Sequence, residues 1–133
     1  MVVLKRQYFY FLGETFFIVP VWDWYAEYKF SIVWNHMPST WNFANSFGVN
    51  EKYQTVKTPL GKFRNSIFTG GDYRIIKRNI GGYPVYISIR GKWLFSDDQL
   101  SDFLQTVLKA ERDFWNDYDF PYYLITVFPL EGG

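Results

Sequence analysis

One histidine, thirteen carboxylates and no cysteine make up most of the reactive inventory of this 133-residue chain. His36 lies in Asn35-His36-Met37-Pro38. A zinc site takes three or four donors, and a hydrolytic triad takes a nucleophile, a base and an acid. A single imidazole has no companions for either, so His36 reads as a loop or structural residue at a strand end. No His-Glu-x-x-His, phosphate-binding loop or dinucleotide fingerprint occurs. The acidic run Glu111, Asp113, Asp117, Asp119 could suggest cation ligands. Helical spacing, however, sets Asp113 and Asp117 on neighbouring turns of a solvated face. Gly70-Gly71-Asp72 is a lone glycine pair that turn chemistry explains. Trp22, Trp24, Trp34 and Trp41 leave two readings open, a platform for stacking a sugar or part of an aromatic core.

Composition bounds what can hold these residues. Aromatic side chains make up 23% of the chain, with six Trp, eleven Tyr and fourteen Phe. Aromatic enrichment favours strands, and this length suffices for a real core. The net charge of +1 comes from interspersed charges. No basic stripe marks a nucleic-acid partner. No uncharged apolar run is long enough to span a membrane, and Met1–Glu14 carries charges where a secretion signal would be apolar. The compartment stays open, and an extracytoplasmic parent protein is compatible with it.

The elements follow from periodicity. Gln7–Pro20 holds two apolar runs around Leu12-Gly13-Glu14-Thr15 and predicts a β-hairpin. In Glu27–Trp34, Tyr28, Phe30, Ile32 and Trp34 alternate with polar neighbours, which predicts a half-buried strand. Residues 36–61 read as long connections with at most short strands or a helical turn. Strands are expected at Lys62–Phe68, Tyr73–Ile80 and Tyr83–Arg90, with turns at Thr69–Asp72 and Gly81-Gly82. Ser96 with Gln99 forms a capping box before a helix over 97–115, and Phe95 with Leu100 a hydrophobic staple. Leu100, Phe103, Leu104, Val107, Leu108, Phe114 and Trp115 are placed on its apolar face. Tyr122–Phe128 is continuously apolar. Strand, helix and strand predict a parallel β-α-β unit. The fold class expected is α+β, mostly antiparallel, with one long C-terminal helix in that unit.

Ile87–Trp93, the helix end Glu111–Phe120, Tyr122–Phe128 and the glycines after it resemble one metallopeptidase family. It is the glycyl aminopeptidase family of gluzincin zinc peptidases. Phe11–Pro20 and the Pro38-x-x-Trp41 segment also resemble its N-terminal β-domain. The resemblance implies two parts, an N-terminal β-domain over 1–80 and the truncated start of a peptidase-like catalytic domain over 81–133. It implies a fragment inactive alone, whose partners are the remainder of its own catalytic domain and, in the parent, a peptide substrate. Zinc is then expected in the parent and no cofactor in this chain. The family's zinc helix and general acid would lie beyond Gly133, so no catalytic residue and no metal ligand carries over. Glu131, Gly132 and Gly133 begin the glycine-rich loop and would lie near substrate. A binding module for carbohydrate or protein, using an aromatic β-surface, is the alternative.

Overall fold

The computed structural model describes residues 1–19, 23–119 and 122–130. The chain divides into two compact units, Met1–Asp72 and Tyr73–Gly133. Its strands are mostly antiparallel and it carries one long helix, an α+β fold.

In the first unit, β1 (Val2–Leu4), β2 (Tyr8–Leu12), β4 (Asn42–Asn45), β5 (Gly48–Val49) and β7 (Ile67–Gly71) form a five-stranded antiparallel sheet. Its order is β1-β2-β7-β4-β5. A second sheet has two strands, β3 (Glu27–Val33) and β6 (Tyr53–Pro59), with α2 (Leu60–Arg64) directly following. Phe9 and Phe11 of β2 and Phe68 of β7 share one core with Ile32 of β3 and Phe63 of α2. Phe17, Phe30, Trp34, Met37, Trp41 and Phe47 pack around it. The rings stack directly, Phe30 on Phe63 at 3.9 Å and Phe11 on Phe68 at 5.2 Å between centroids.

Four local expectations change here. The hairpin around Gly13 does not form. Gly13–Phe16 is a single helical turn, α1, because β2 takes β1 and β7 as its neighbours. A side chain at Gly13 would meet the carbonyl oxygens of Arg64 and Phe63, so this bend admits only glycine. Lys62–Arg64 is helical rather than the start of a strand. Gly70 and Gly71 lie within β7 instead of in a turn, paired to Phe9 and Tyr8. Finally, β6 is a full seven-residue strand where at most short strands were expected. Its inward positions are Gln54, Val56 and Thr58, so two polar side chains hide the period-2 signal.

The second unit is a sheet in the order β10-β9-β8, with β8 (Arg74–Ile80), β9 (Tyr83–Ile89) and β10 (Tyr123–Val127). Gly81 and Gly82, at φ of 58° and 86°, close the β8–β9 hairpin as expected. The division between the two units falls after Asp72, and Arg74–Ile80 pairs along its whole length with Tyr83–Ile89. The crossover helix α3 (Asp97–Trp115) then returns the chain to β10, which pairs parallel to β9. Ser96 Oγ accepts from the Gln99 N–H, and the Gln99 side chain accepts from the Ser96 N–H, which completes the capping box. Asn116 ends the helix in the left-handed conformation.

Val85, Ile87 and Ile89 are fully buried beneath α3, with Ile80 and Leu108. The helix meets them along a narrower seam than expected. Ser101, Leu108 and Arg112 are its buried residues, with Leu100 and Leu104 packed beside them. Phe103, Val107 and Phe114 are exposed along a second stripe that this unit does not cover, and Trp115, on the seam side with Leu108 and Arg112, is exposed at the end of the helix. Arg74 and Arg78 of β8 clasp the first turns of the helix. Arg74 donates to Asp97 and Arg78 to Asp98 and Asp102. The Arg74 guanidinium holds the Asp97 carboxyl below the ordinary carboxylate range, and Asp98 and Asp102 push Arg78 upward. No helix among the described residues is long and apolar enough to cross a membrane.

Candidate functional site

The residues singled out from sequence scatter. Glu131, Gly132, Gly133 and Trp22 lie outside the described residues. Trp34 and Trp41 both approach Phe9, at 5.6 and 6.2 Å between centroids, and join the aromatic core of the first unit. Trp24 is 44% exposed, with the Arg64 guanidinium 4.3 Å above its ring. Its carbonyl accepts from the Gly61 N–H, which ties it to α2. His36 is exposed, in the left-handed conformation at the end of the β3 segment. Asp113 pairs with Lys109 at 2.6 Å, one turn back along the helix. Among the described residues no cluster of three potential metal ligands occurs.

The feature that sequence reasoning missed is a groove of about 500 Å³ in the first unit. That lies within the range typical of ligand sites. Phe9, Phe11, Phe63 and Phe68 form its mostly buried floor, and Leu4, Phe16 and Val33 its exposed rim. Five consecutive residues, Ser31 to Asn35, line one wall. Side chains from both faces of β3 take part and none from β6, so the groove runs along the β3 edge that faces away from β6. Among the described residues no strand pairs with that edge. The groove exists because five strands are covered by only two. Its sequence signal was the density of phenylalanine, but the wall and floor come from segments too far apart in sequence to be connected by pattern.

In the second unit, a cleft of about 180 Å³ is lined by Leu108, Glu111, Arg112, Trp115, Asp117 and Tyr123. Arg112, 5% exposed, places its guanidinium 5.9 Å from the Tyr123 ring centroid. Position 112 sits on the buried seam, where a helical pattern counts only apolar residues.

No protein-family model matches the chain, and none of the curated proteins does. Among solved structures, it is similar to the crystal structure of an aminopeptidase N family protein from Idiomarina loihiensis. The TM-score is 0.75 at 12% identity, over 95% of this chain and 22% of that one. At that identity the likeness is one of fold. The chain spans less than a quarter of that protein's length, and both of its units are included in the match.

Proposed function

We propose that this chain is the N-terminal, non-catalytic portion of a zinc metallopeptidase of the glycyl aminopeptidase type. The first unit is its β-domain and the second the beginning of its peptidase domain. The observation that carries this reading is the fold match, which takes in nearly the whole chain yet only a fifth of an aminopeptidase N family protein. The residue inventory agrees with it, since one histidine and no cysteine leave the metal site to be supplied elsewhere. These residues do not make a zinc site, and no catalytic step is assigned to them. In the whole protein, zinc would polarise a peptide carbonyl and activate water. The role left to this chain is to supply strands and a helix on which the remainder of the peptidase domain assembles.

The test compares this chain with the product that includes the residues following it in its gene. The chain alone should hold no stoichiometric zinc and cleave no aminoacyl reporter. The longer product should hold one zinc and cleave it. A longer product without a His-Glu-x-x-His segment and without zinc would end this reading. The aromatic groove favours a second one, a binding module. Tryptophan fluorescence titrated with oligosaccharides separates the two, since saturable binding that perturbs Trp34, the tryptophan lining the groove, is expected only of the module.

A further inference from the structure

We propose that the outer stripe of α3 is the seat of a second α-helix, supplied by the part of the parent peptidase domain that lies outside this chain. The source of that helix rests on the metallopeptidase reading, whereas the shape of its seat does not. Three observations point to this occupant. The first is spacing. Phe103, Val107, Ala110 and Phe114 are all exposed and recur at intervals of four, three and four residues. On a helix that rhythm sets side chains in one stripe. The stripe lies nearly opposite the buried seam of Ser101, Leu108 and Arg112, so α3 carries two packing faces and the three-stranded sheet covers one. Neighbours on the stripe stand roughly 5 Å apart along the axis, which matches the ridges of another helix and not the roughly 7 Å repeat on one face of a strand.

The second is what borders the stripe. The Thr106 hydroxyl already donates to the Asp102 carbonyl at 2.9 Å, and Lys109 donates to the Asp113 carboxylate at 2.6 Å. Covering the stripe therefore orphans neither group at that border, and Ala110 leaves room at its middle for a close approach. The third is extent. Four side chains along roughly 16 Å of helix fall short of the roughly 1,200 Å² that a specific complex of separate molecules buries. A free helix of that length is also marginal in water. An occupant joined covalently to this chain escapes both limits, because the linkage sets its concentration at the stripe. The likeness to the aminopeptidase N family protein agrees with that source, since more than three quarters of that protein lies outside the match.

The chain has no cysteine, so a single introduced thiol reports on the stripe without background. Val107→Cys, Ala110→Cys and, well off the stripe, Lys109→Cys are made in this chain and in the longer product that includes the residues following it in its gene. Alkylation is timed by mass spectrometry of the peptide that holds each thiol, at a concentration where this chain sediments as a monomer. In this chain the three thiols should react at similar rates. In the longer product Val107→Cys and Ala110→Cys should react at least about tenfold more slowly, with Lys109→Cys unchanged. A photoreactive phenylalanine analogue in place of Phe103 or Phe114 then reads the shape of the occupant. The two crosslinks should fall on one segment about eleven residues apart, as on a helix, whereas about five apart would mean a strand and overturn the proposal. Equal alkylation of Val107→Cys in the two products would overturn it as well. Zinc held by the longer product with Val107→Cys still fully reactive would sink this inference and spare the metallopeptidase reading, and protection without zinc would do the reverse.

Discussion

Gly70 and Gly71 occupy neighbouring positions of β7 and exclude a methyl group for different reasons. A Cβ at Gly70 would stand 2.6 Å from the Phe9 ring, which lies across the glycine between β2 and β4. At Gly71 the backbone is itself strained for any other residue, at φ 141°, and a Cβ would meet the Gln7 carbonyl at 2.5 Å. Gly71→Ala should therefore cost about 3 kcal/mol or more, through backbone strain and overpacking together. Gly82→Ala in the β8–β9 turn, where nothing lies within 4 Å, should cost only about 1–2 kcal/mol from its positive φ. Urea denaturation of the variants measures both, and equal costs would mean that the Phe9 strand does not lie against β7 as described. A second residue-scale effect concerns pH. Arg74 lowers the Asp97 carboxyl, so the pair stabilises the fold above the unfolded carboxylate value of about 3.9, and this is lost as pH falls through the lower folded value. Both side chains are partly solvated, which limits the effect to about 1 kcal/mol. Asp97→Asn should lower the urea midpoint at pH 7 and leave it nearly unchanged at pH 2.

At the scale of elements, α3 was legible almost to the residue, because Ser96, Gln99, Asp97 and Asp98 signal its start through local chemistry that needs no partner. Its orientation was less so. Seven apolar residues mark where a helix can bury surface, but which of them do depends on the width of the sheet beneath, and three strands cover only one stripe. Leu108→Ala should cost about 2–5 kcal/mol, and Val107→Ala, 45% exposed, within about 0.5. Chemical denaturation distinguishes them, and equal shifts would mean that the helix is rotated about its axis. Strand β6 shows the opposite failure. Gln54 turns inward because Asn45 donates to its side-chain oxygen at 2.6 Å, a partnership nine residues away that composition conceals. The groove was illegible for a related reason. It is bounded by what the small sheet lacks, and a missing strand leaves no residues to read.

For the whole molecule, the uncovered stripe on α3 and the outer edge of β10 bear on association. Phe103 and Phe114 on that stripe, and Trp115 at the helix end, are each more than 60% exposed, and β10 ends the three-stranded sheet. Apolar stripes and open edges of this kind promote contacts between chains. The sedimentation coefficient should rise with concentration, and Phe114→Glu with Trp115→Ser should suppress the rise. If the pair has no effect, the β10 edge is the contact. A lysine placed on β10 is the poorer tool, since Ile125 packs into the core beneath α3 and the Thr126 hydroxyl is buried. The order of strands in the first unit has another consequence, in time. The inner partner of β2 is β7, which is synthesised some 60 residues later. At about 5–20 residues per second, a nascent chain waits roughly 3–12 s before Phe9 and Phe11 can be covered. The second unit has no such delay at its first step, because β8 meets β9 across two glycines. On the ribosome the aromatic β2 segment is thus left waiting for its partner, and slowing translation between the codons for residues 12 and 67 should lower the yield of folded protein more than the same delay placed after the codon for residue 90.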